Sequence, residues 1–252
     1  MGASEPVVLG GWGRGGQTMR GVWASKDAGH RDAAVPVDGR GTDAPGQFPR
    51  SMKFVFWILV AIAVAAATRR AVALFVPAGS GPPQLVALDR YFRAHAALTG
   101  VHIGCATVLV VLLPFVFRRR VPISVERALF VAGAIVGVTA YAMSVDAVGG
   151  WLERSAVFVF NTLFLCSLAC AFVFAQRGEL AEKRRWLLRA TAILLGIATT
   201  RPVMGVFFAT APLTHLAPRQ FFGIAFWIGW TINTLGIELW LRAHRGAGGG
   251  QV

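Results

Sequence analysis

Four polar side chains lie within long apolar stretches of the chain, where they could do chemistry: His102, Tyr141, Asn161 and Arg201. Counted along helices at ~1.5 Å per residue, all four reach a similar depth below the same side of the membrane. An ionisable group inside a membrane is costly, so it is a candidate site residue. A cation, an imidazole and a phenol at one level favour an outward-facing pocket for a small or lipid-like ligand that is anionic or quinone-like.

The same residues also have a purely structural interpretation. In it, Arg201 pairs with Asp146, which lies at the end of the third apolar stretch, while His102 and Asn161 hydrogen-bond across the bundle. Polar contacts of this kind are common between membrane helices and contribute roughly 0.6 kcal/mol each. The sequence leaves both interpretations open.

A second set of polar residues lies toward the other side of the membrane. Glu238 is close to the end of the sixth stretch, and Arg189 is one turn into the fifth, at a matching depth. Charges inside a membrane usually find partners. We therefore predict a structural ion pair between Arg189 and Glu238, with a proton relay as the alternative.

Six apolar stretches of membrane-spanning length position these residues. A hydrocarbon core about 30 Å thick needs ~20 mostly apolar helical residues to cross it. Hydrophobic residues make up 55% of the chain and the mean hydropathy is +0.58, which is not typical of a soluble domain. The predicted fold is an all-α polytopic membrane bundle of six transmembrane helices: Phe54–Val76, Ala96–Phe117, Arg127–Ala147, Ser155–Ala175, Trp186–Phe208 and Phe221–Leu241.

The distribution of positive charge indicates the topology. Residues 1–50 hold six Lys/Arg and five acids, which leaves 19 Lys/Arg against 7 acids for the rest of the chain. Twelve of these basic residues share one predicted face and six share the other, so the positive-inside rule places both termini in the cytoplasm. The net charge of +13 is thus mainly a topology signal. It predicts a lipid bilayer as partner and no nucleic acid.

The predicted transmembrane domain covers residues 51–243, between two polar tails. Residues 1–50 lack an apolar period and are predicted to be disordered, and the glycine-rich residues 244–252 form a flexible tail. The segment that begins Met52-Lys53-Phe54 resembles the start of a membrane protein. This raises the hypothesis that translation begins at Met52.

Motifs of known enzymes are absent from the sequence. It has no phosphate-binding Gly-Lys-Ser/Thr loop, no dinucleotide fingerprint, no nucleophile elbow and no His-Glu-x-x-His. Cys105, Cys166 and Cys170 lie inside the apolar stretches and predict neither a disulfide framework nor a metal centre. We assign no catalytic or metal-binding residue and favour a protein that is not an enzyme.

Several motifs together resemble a bacterial membrane family. The stretch His102-Ile103-Gly104 opens an apolar helix that ends Pro114-Phe115-Val116-Phe117-Arg118-Arg119. Arg177-Gly178-Glu179, Lys183-Arg184-Arg185-Trp186-Leu187-Leu188-Arg189 and Arg201 follow, and the pattern closes with Trp227-x-x-Trp230-x-x-Asn233-x4-Glu238. In order and spacing they resemble the family catalogued as domain of unknown function 2306, over roughly residues 54–243. The resemblance implies a multi-pass protein of the bacterial inner membrane and implies no particular reaction.

The chain departs from that family's pattern at two histidines. The family usually has a His-Arg pair entering the third span, where this chain has Glu126-Arg127. It usually has a histidine before an Arg-Arg-Trp-Met stretch, where this chain has Lys183, with Leu187 in place of the methionine. Any role of those two histidines is therefore not carried over to this chain.

Four functions remain open at the level of sequence. The first is binding of a small or lipid-like ligand at the outer polar level. The second is a haem b or quinone redox protein, which is disfavoured because His95 and His102 lie on one helix and the other histidines lie in loops or tails. The third is a membrane enzyme with His102 or Glu238 as acid or base. The fourth is a structural or accessory subunit.

Overall fold

The computed structural model describes residues 49–75, 86, 90, 92–118 and 121–244. Six helices in these ranges are long and apolar enough to cross a membrane, which confirms the predicted all-α polytopic bundle. The helices are α1 (Arg50–Phe75), α2 (Ala96–Leu112), α3 (Ile123–Ser144), α4 (Gly150–Gln176), α5 (Leu180–Thr214) and α6 (Pro218–Ala243). The two predicted tails lie almost entirely outside the described residues. Met52, the hypothetical start of translation, lies in the first turn of α1, and the start itself stays a prediction. The cytoplasmic orientation of the termini stays a prediction.

Several helices extend beyond the apolar stretches that predicted them. Helix α1 continues through Arg69 and Arg70, and α5 begins at Leu180 and continues through Pro202 to Thr214. At ~1.5 Å per residue the 35 residues of α5 are longer than a hydrocarbon core is thick. Hydropathy locates the part of a helix inside the membrane, whereas the backbone hydrogen bonds continue into the polar ends.

Short connections join the helices from α3 onward, so consecutive helices run in opposite directions. Gly178, between α4 and α5, has a φ of +74°, a left-handed conformation that glycine adopts without steric cost. We use "basic end" for the end of the bundle where α2, α4 and α6 finish and α3 and α5 begin. It carries most of the positive charge of the described residues.

Each helix from α1 to α5 packs against the next one in the chain, and α5 also packs against α1, which closes the ring. Helix α6 packs against α4 and α5, and its contact with α5 is the most extensive in the bundle. Buried apolar side chains fill the space between the helices, among them Leu109, Leu129, Phe160, Phe164, Leu168 and Leu187. Helix α1 is the most peripheral, since Val60 is its one buried residue.

Glycine allows α5 and α6 to approach closely. A Cβ added to Gly229 on α6 would lie 2.7 Å from the backbone nitrogen of Thr200 and 2.6 Å from its Cγ2. Gly236, two turns further along α6, has open space around the same position. Small residues at a membrane helix interface permit such backbone contacts.

This difference predicts opposite effects of two identical substitutions on α6. Gly229→Ala should lower the free energy of unfolding by about 1–3 kcal/mol, because the added methyl group meets backbone that cannot move alone. Gly236→Ala gains up to ~1 kcal/mol of helix propensity without a clash. Thermal unfolding of the purified variants in detergent measures both. Equal stability of the two variants would contradict the close approach of α5 and α6.

Candidate functional site

Two of the four residues predicted at the outer level are in side-chain hydrogen bonds with the neighbouring helix. His102 Nδ1 on α2 lies 2.8 Å from Thr139 Oγ1 on α3, and Tyr141 OH on α3 lies 2.6 Å from Thr162 Oγ1 on α4. The Thr139 hydroxyl also lies 2.6 Å from the carbonyl oxygen of Ile135 in its own helix. These contacts join α2, α3 and α4.

Asn161 makes a similar contact in a more buried setting. Its Nδ2 donates to the carbonyl oxygen of Gly137 across 2.8 Å, between α4 and α3. A buried amide that donates to a free backbone acceptor stabilises the interface at which it lies. Three of the four predicted residues thus contribute to contacts between helices, and the predicted ligand site that they form with Arg201 stays a prediction.

Arg201 has different surroundings. Its side chain is exposed on α5, and within the described ranges it makes no hydrogen bond or ion pair. The acid that interacts with it electrostatically is Glu153, in the first turn of α4, and Arg69 adds a nearby like charge. Glu153 Oε2 accepts a hydrogen bond from the Gly149 nitrogen at 2.6 Å. Glu153 is therefore an acid that the sequence analysis did not consider for Arg201. Asp146 lies in the turn after α3, and its pairing with Arg201 stays a prediction.

The polar residues of the last two helices lie in direct contact. The Arg189 guanidinium donates two hydrogen bonds to the Glu238 carboxylate, one from Nε and one from Nη2, the latter at 3.3 Å. Deeper in the same interface, Asn233 Nδ2 donates to the Ala192 carbonyl oxygen at 3.1 Å, and the Thr199 hydroxyl donates to Asn233 Oδ1 at 2.8 Å. Asn233 thus uses both its amide nitrogen and its amide oxygen within the interface of α5 and α6.

A cavity lies elsewhere, at the basic end. It has a volume of about 340 Å³ and lies between the end of α2 and the first turns of α3 and α5. Apolar side chains line its interior: Phe115, Val116, Leu129, Phe130 and Leu187. Charged side chains line it as well: Arg118, Glu126, Lys183 and Arg184. We call this cavity the basic-end cleft.

One ion pair crosses the basic-end cleft. Lys183 Nζ on α5 lies 3.0 Å from Glu126 Oε2 on α3, and the two side chains are only 16% and 17% exposed. These are the two positions at which the resemblance expects histidine. The cleft was not predicted, because cations at helix ends were interpreted as topology signals alone. The signal that could have found it is the pair of opposite charges, Glu126 and Lys183, just before two of the predicted spans.

The positions of the described His, Cys, Asp and Glu residues do not support a metal or haem site. Among the described residues, no group of three His, Cys, Asp or Glu side chains could hold a metal ion. His95 directly precedes α2, on which His102 lies, while His215 and His244 follow the ends of α5 and α6. Among the described histidines, His102 is the one that lies within a helix.

A comparison with protein-family models identifies the family. The model described as Predicted membrane protein (DUF2306) matches residues 99–241. The chain belongs to this family. The matched region covers α2 to α6 and includes every residue of the outer level and of the basic-end cleft, whereas α1 precedes it. No curated protein and no solved structure matches the chain.

The electrostatic interaction of Arg201 with Glu153 predicts an energetic coupling that can be measured. Arg201→Leu and Glu153→Gln should be non-additive by at least about 0.5 kcal/mol in unfolding free energy, because each removes one partner of the same interaction. Arg201→Leu and Asp146→Asn should be additive and serve as the control. Double-mutant cycles in detergent test both pairs. Coupling confined to Asp146 would contradict the observed geometry.

Proposed function

We propose that this multi-pass membrane protein binds an amphipathic anionic ligand in the basic-end cleft. The observation that carries the proposal is the lining of the cleft, where three cations and one acid surround an apolar interior. Its volume of about 340 Å³ is within the range of small-molecule sites, roughly 300–1,000 Å³.

The charges of the cleft favour an anion. Arg118, Lys183 and Arg184 carry three positive charges, and Glu126 carries one negative charge. Helices α3 and α5 both begin here, and helix N-termini carry partial positive charge that favours anions. The arginine side chains add planar sets of N–H donors that suit carboxylates and phosphates.

The apolar interior favours a ligand that also has a hydrocarbon part. Leu129 and Phe130 follow Glu126 by about one helical turn, and Leu187 follows Lys183 by the same interval. One turn is ~5.4 Å, so the apolar side chains lie deeper in the bundle than the charges. A ligand with an acidic head and an apolar tail matches this order.

The cleft is also at the right level for a ligand that comes from the bilayer. It lies where the candidate spans of α2, α3 and α5 end, which is the level of lipid headgroups. By the positive-inside rule this is the cytoplasmic leaflet, and the resemblance implies the bacterial inner membrane.

The outer polar level supports a second candidate function, binding of an anionic or quinone-like ligand near Arg201. The supporting observation is the exposed guanidinium of Arg201 inside a membrane span. His102, Tyr141 and Asn161 already hydrogen-bond to neighbouring helices, so this candidate relies on Arg201. A haem b or quinone redox protein, an enzyme and an accessory subunit find no specific observation in their favour.

Neutralising one arginine of the cleft should weaken binding of an anionic lipid. Arg184 lines the cleft, and Arg185 forms an ion pair with Glu182 and does not line it. Arg184→Gln should weaken binding of short-chain phosphatidylglycerol about fivefold, since one cation at the membrane surface contributes about 1 kcal/mol. Arg185→Gln is the matched control and should change the affinity much less.

Thermophoresis of the detergent-purified full-length protein measures these affinities, with short-chain phosphatidylcholine as the zwitterionic reference. Equal weakening by both substitutions would indicate general surface attraction and contradict a site in the cleft. No preference for phosphatidylglycerol over phosphatidylcholine would contradict the proposal as a whole and favour an accessory subunit.

A further inference from the structure

We infer that Leu129 and Leu187 form the floor of the basic-end cleft and limit the length of the hydrocarbon chain that a ligand places there. The inference rests on the proposed function and specifies the ligand of the same site, an acidic group that carries an unbranched chain. Both leucines lie on helices that begin at the cleft, about one turn beyond Glu126 and Lys183.

A small void lies behind these two leucines. It has a volume of about 10 Å³, and side chains from α2, α3, α4 and α5 line it. Leu129 and Leu187 line both this void and the cleft. The two leucine side chains therefore separate the cleft from the interior of the bundle.

The void lies deeper in the bundle than the cleft. Along α5, Lys183 and Leu187 line the cleft, whereas Leu187, Ala190 and Leu194 line the void. The distance along the helix is ~6 Å from Lys183 to Leu187 and a further ~10 Å from Leu187 to Leu194. A chain whose acidic group lies at the level of Lys183 thus meets the leucines after a few carbon atoms.

The surrounding core holds the two leucines in place. Leu129 is 6% exposed and Leu187 is 8% exposed, and both belong to the main apolar core of the bundle. Side chains in such a core are close-packed, so moving them aside costs packing contacts. The void of about 10 Å³ is close to the smallest that holds one water molecule, which leaves no room for a leucine side chain to swing inward.

The volume of the cleft favours a single chain. At ~30 Å³ for a group of the size of a water molecule, about 340 Å³ holds on the order of ten such groups. This is enough for an acidic group and one short hydrocarbon chain, whereas the two chains of a membrane lipid exceed it. A two-chain lipid would place one of its chains in the cleft, and a single-chain acid would place its only chain there.

A series of unbranched carboxylates at pH 8 tests the limit on the unmodified full-length protein. From hexanoate upward, each buried methylene should strengthen binding by up to about fourfold. The affinity should stop rising before dodecanoate, because longer chains meet Leu129 and Leu187. Affinities are expressed for the free carboxylate, which removes the effect of its partition into detergent. A steady rise through dodecanoate would overturn the inference.

Opening the floor should move the limit to longer chains. Leu187→Ala removes an isopropyl group and joins the cleft to the void, so the affinity for dodecanoate relative to hexanoate should rise severalfold. Leu188→Ala is the matched control, because Leu188 is similarly buried on the same helix and is not among the described residues that line either cavity. The same ratio in both variants would contradict a floor at Leu187.

Filling the void should reverse the effect of opening the floor. Ala190 lines the void and is not among the described residues that line the cleft. Ala190→Leu, added to Leu187→Ala, should return the ratio of the two affinities toward that of the unmodified protein. A ratio that stays high would contradict entry of the chain into the void. The carboxylate series on the unmodified protein requires no variant, so an unstable variant cannot prevent the test.

A phospholipid distinguishes two sources of the chain. Dioctanoyl phosphatidylglycerol that binds much more tightly than octanoate would support the limit and assign the chain to a lipid. Equal binding would support the limit and assign the chain to a free carboxylate. Binding of phosphatidylglycerol without binding of any carboxylate would overturn the inference, since one acidic group and one chain should suffice.

The remaining outcomes separate the two proposals. Carboxylate affinity that rises through dodecanoate, with phosphatidylglycerol still preferred over phosphatidylcholine, would overturn the limit on chain length and leave the proposed function standing. No binding of any carboxylate or anionic lipid would overturn both.

Discussion

The bundle depends on one constraint: inside a bilayer, polar groups must find their hydrogen-bond partners within the protein. Helices satisfy the backbone, and the polar side chains between helices then satisfy one another. This is visible where His102 meets Thr139, where Asn161 meets the carbonyl oxygen of Gly137 and where Arg189 meets Glu238. A polar residue at membrane depth is therefore used first for holding helices together. A ligand site therefore needs polar groups in addition to those that hold the helices together.

Several charged side chains line the cleft at the basic end. Lys183, one of the three cations around the cleft, is paired with Glu126. Apolar side chains line the cavity one turn deeper. The helix ends lie near water, where a charge costs less than at the bilayer centre. A site at this level can therefore hold several cations that the middle of the bundle could not. The same reasoning makes Arg201, an exposed cation inside a candidate membrane span, an exceptional feature of the outer level.

The sequence predicts the architecture well because length and hydropathy decide it. All six helices were expected, although α5 begins before Trp186 and ends after Phe208, since a helix continues into polar residues that hydropathy does not count. The partners of the polar side chains were harder to predict. Depth along a helix places Arg201 at a level but does not say which neighbour it faces, and the acid at that level is Glu153 in addition to the Asp146 considered from sequence. The cleft was missed because its walls come from three separate helix ends.

The charges at positions 126 and 183 depend on each other. Glu126 and Lys183 come from different helices, yet their charged groups lie 3.0 Å apart and both side chains are mostly buried. Either charge alone at such a place would lack compensation, which is strongly destabilising when a pair is broken by removing one partner. A glutamate at position 126 is therefore tolerated because a lysine stands at 183, and the reverse is equally true. The ion pair therefore joins α3 to α5 and places both of its charges in the lining of the cleft.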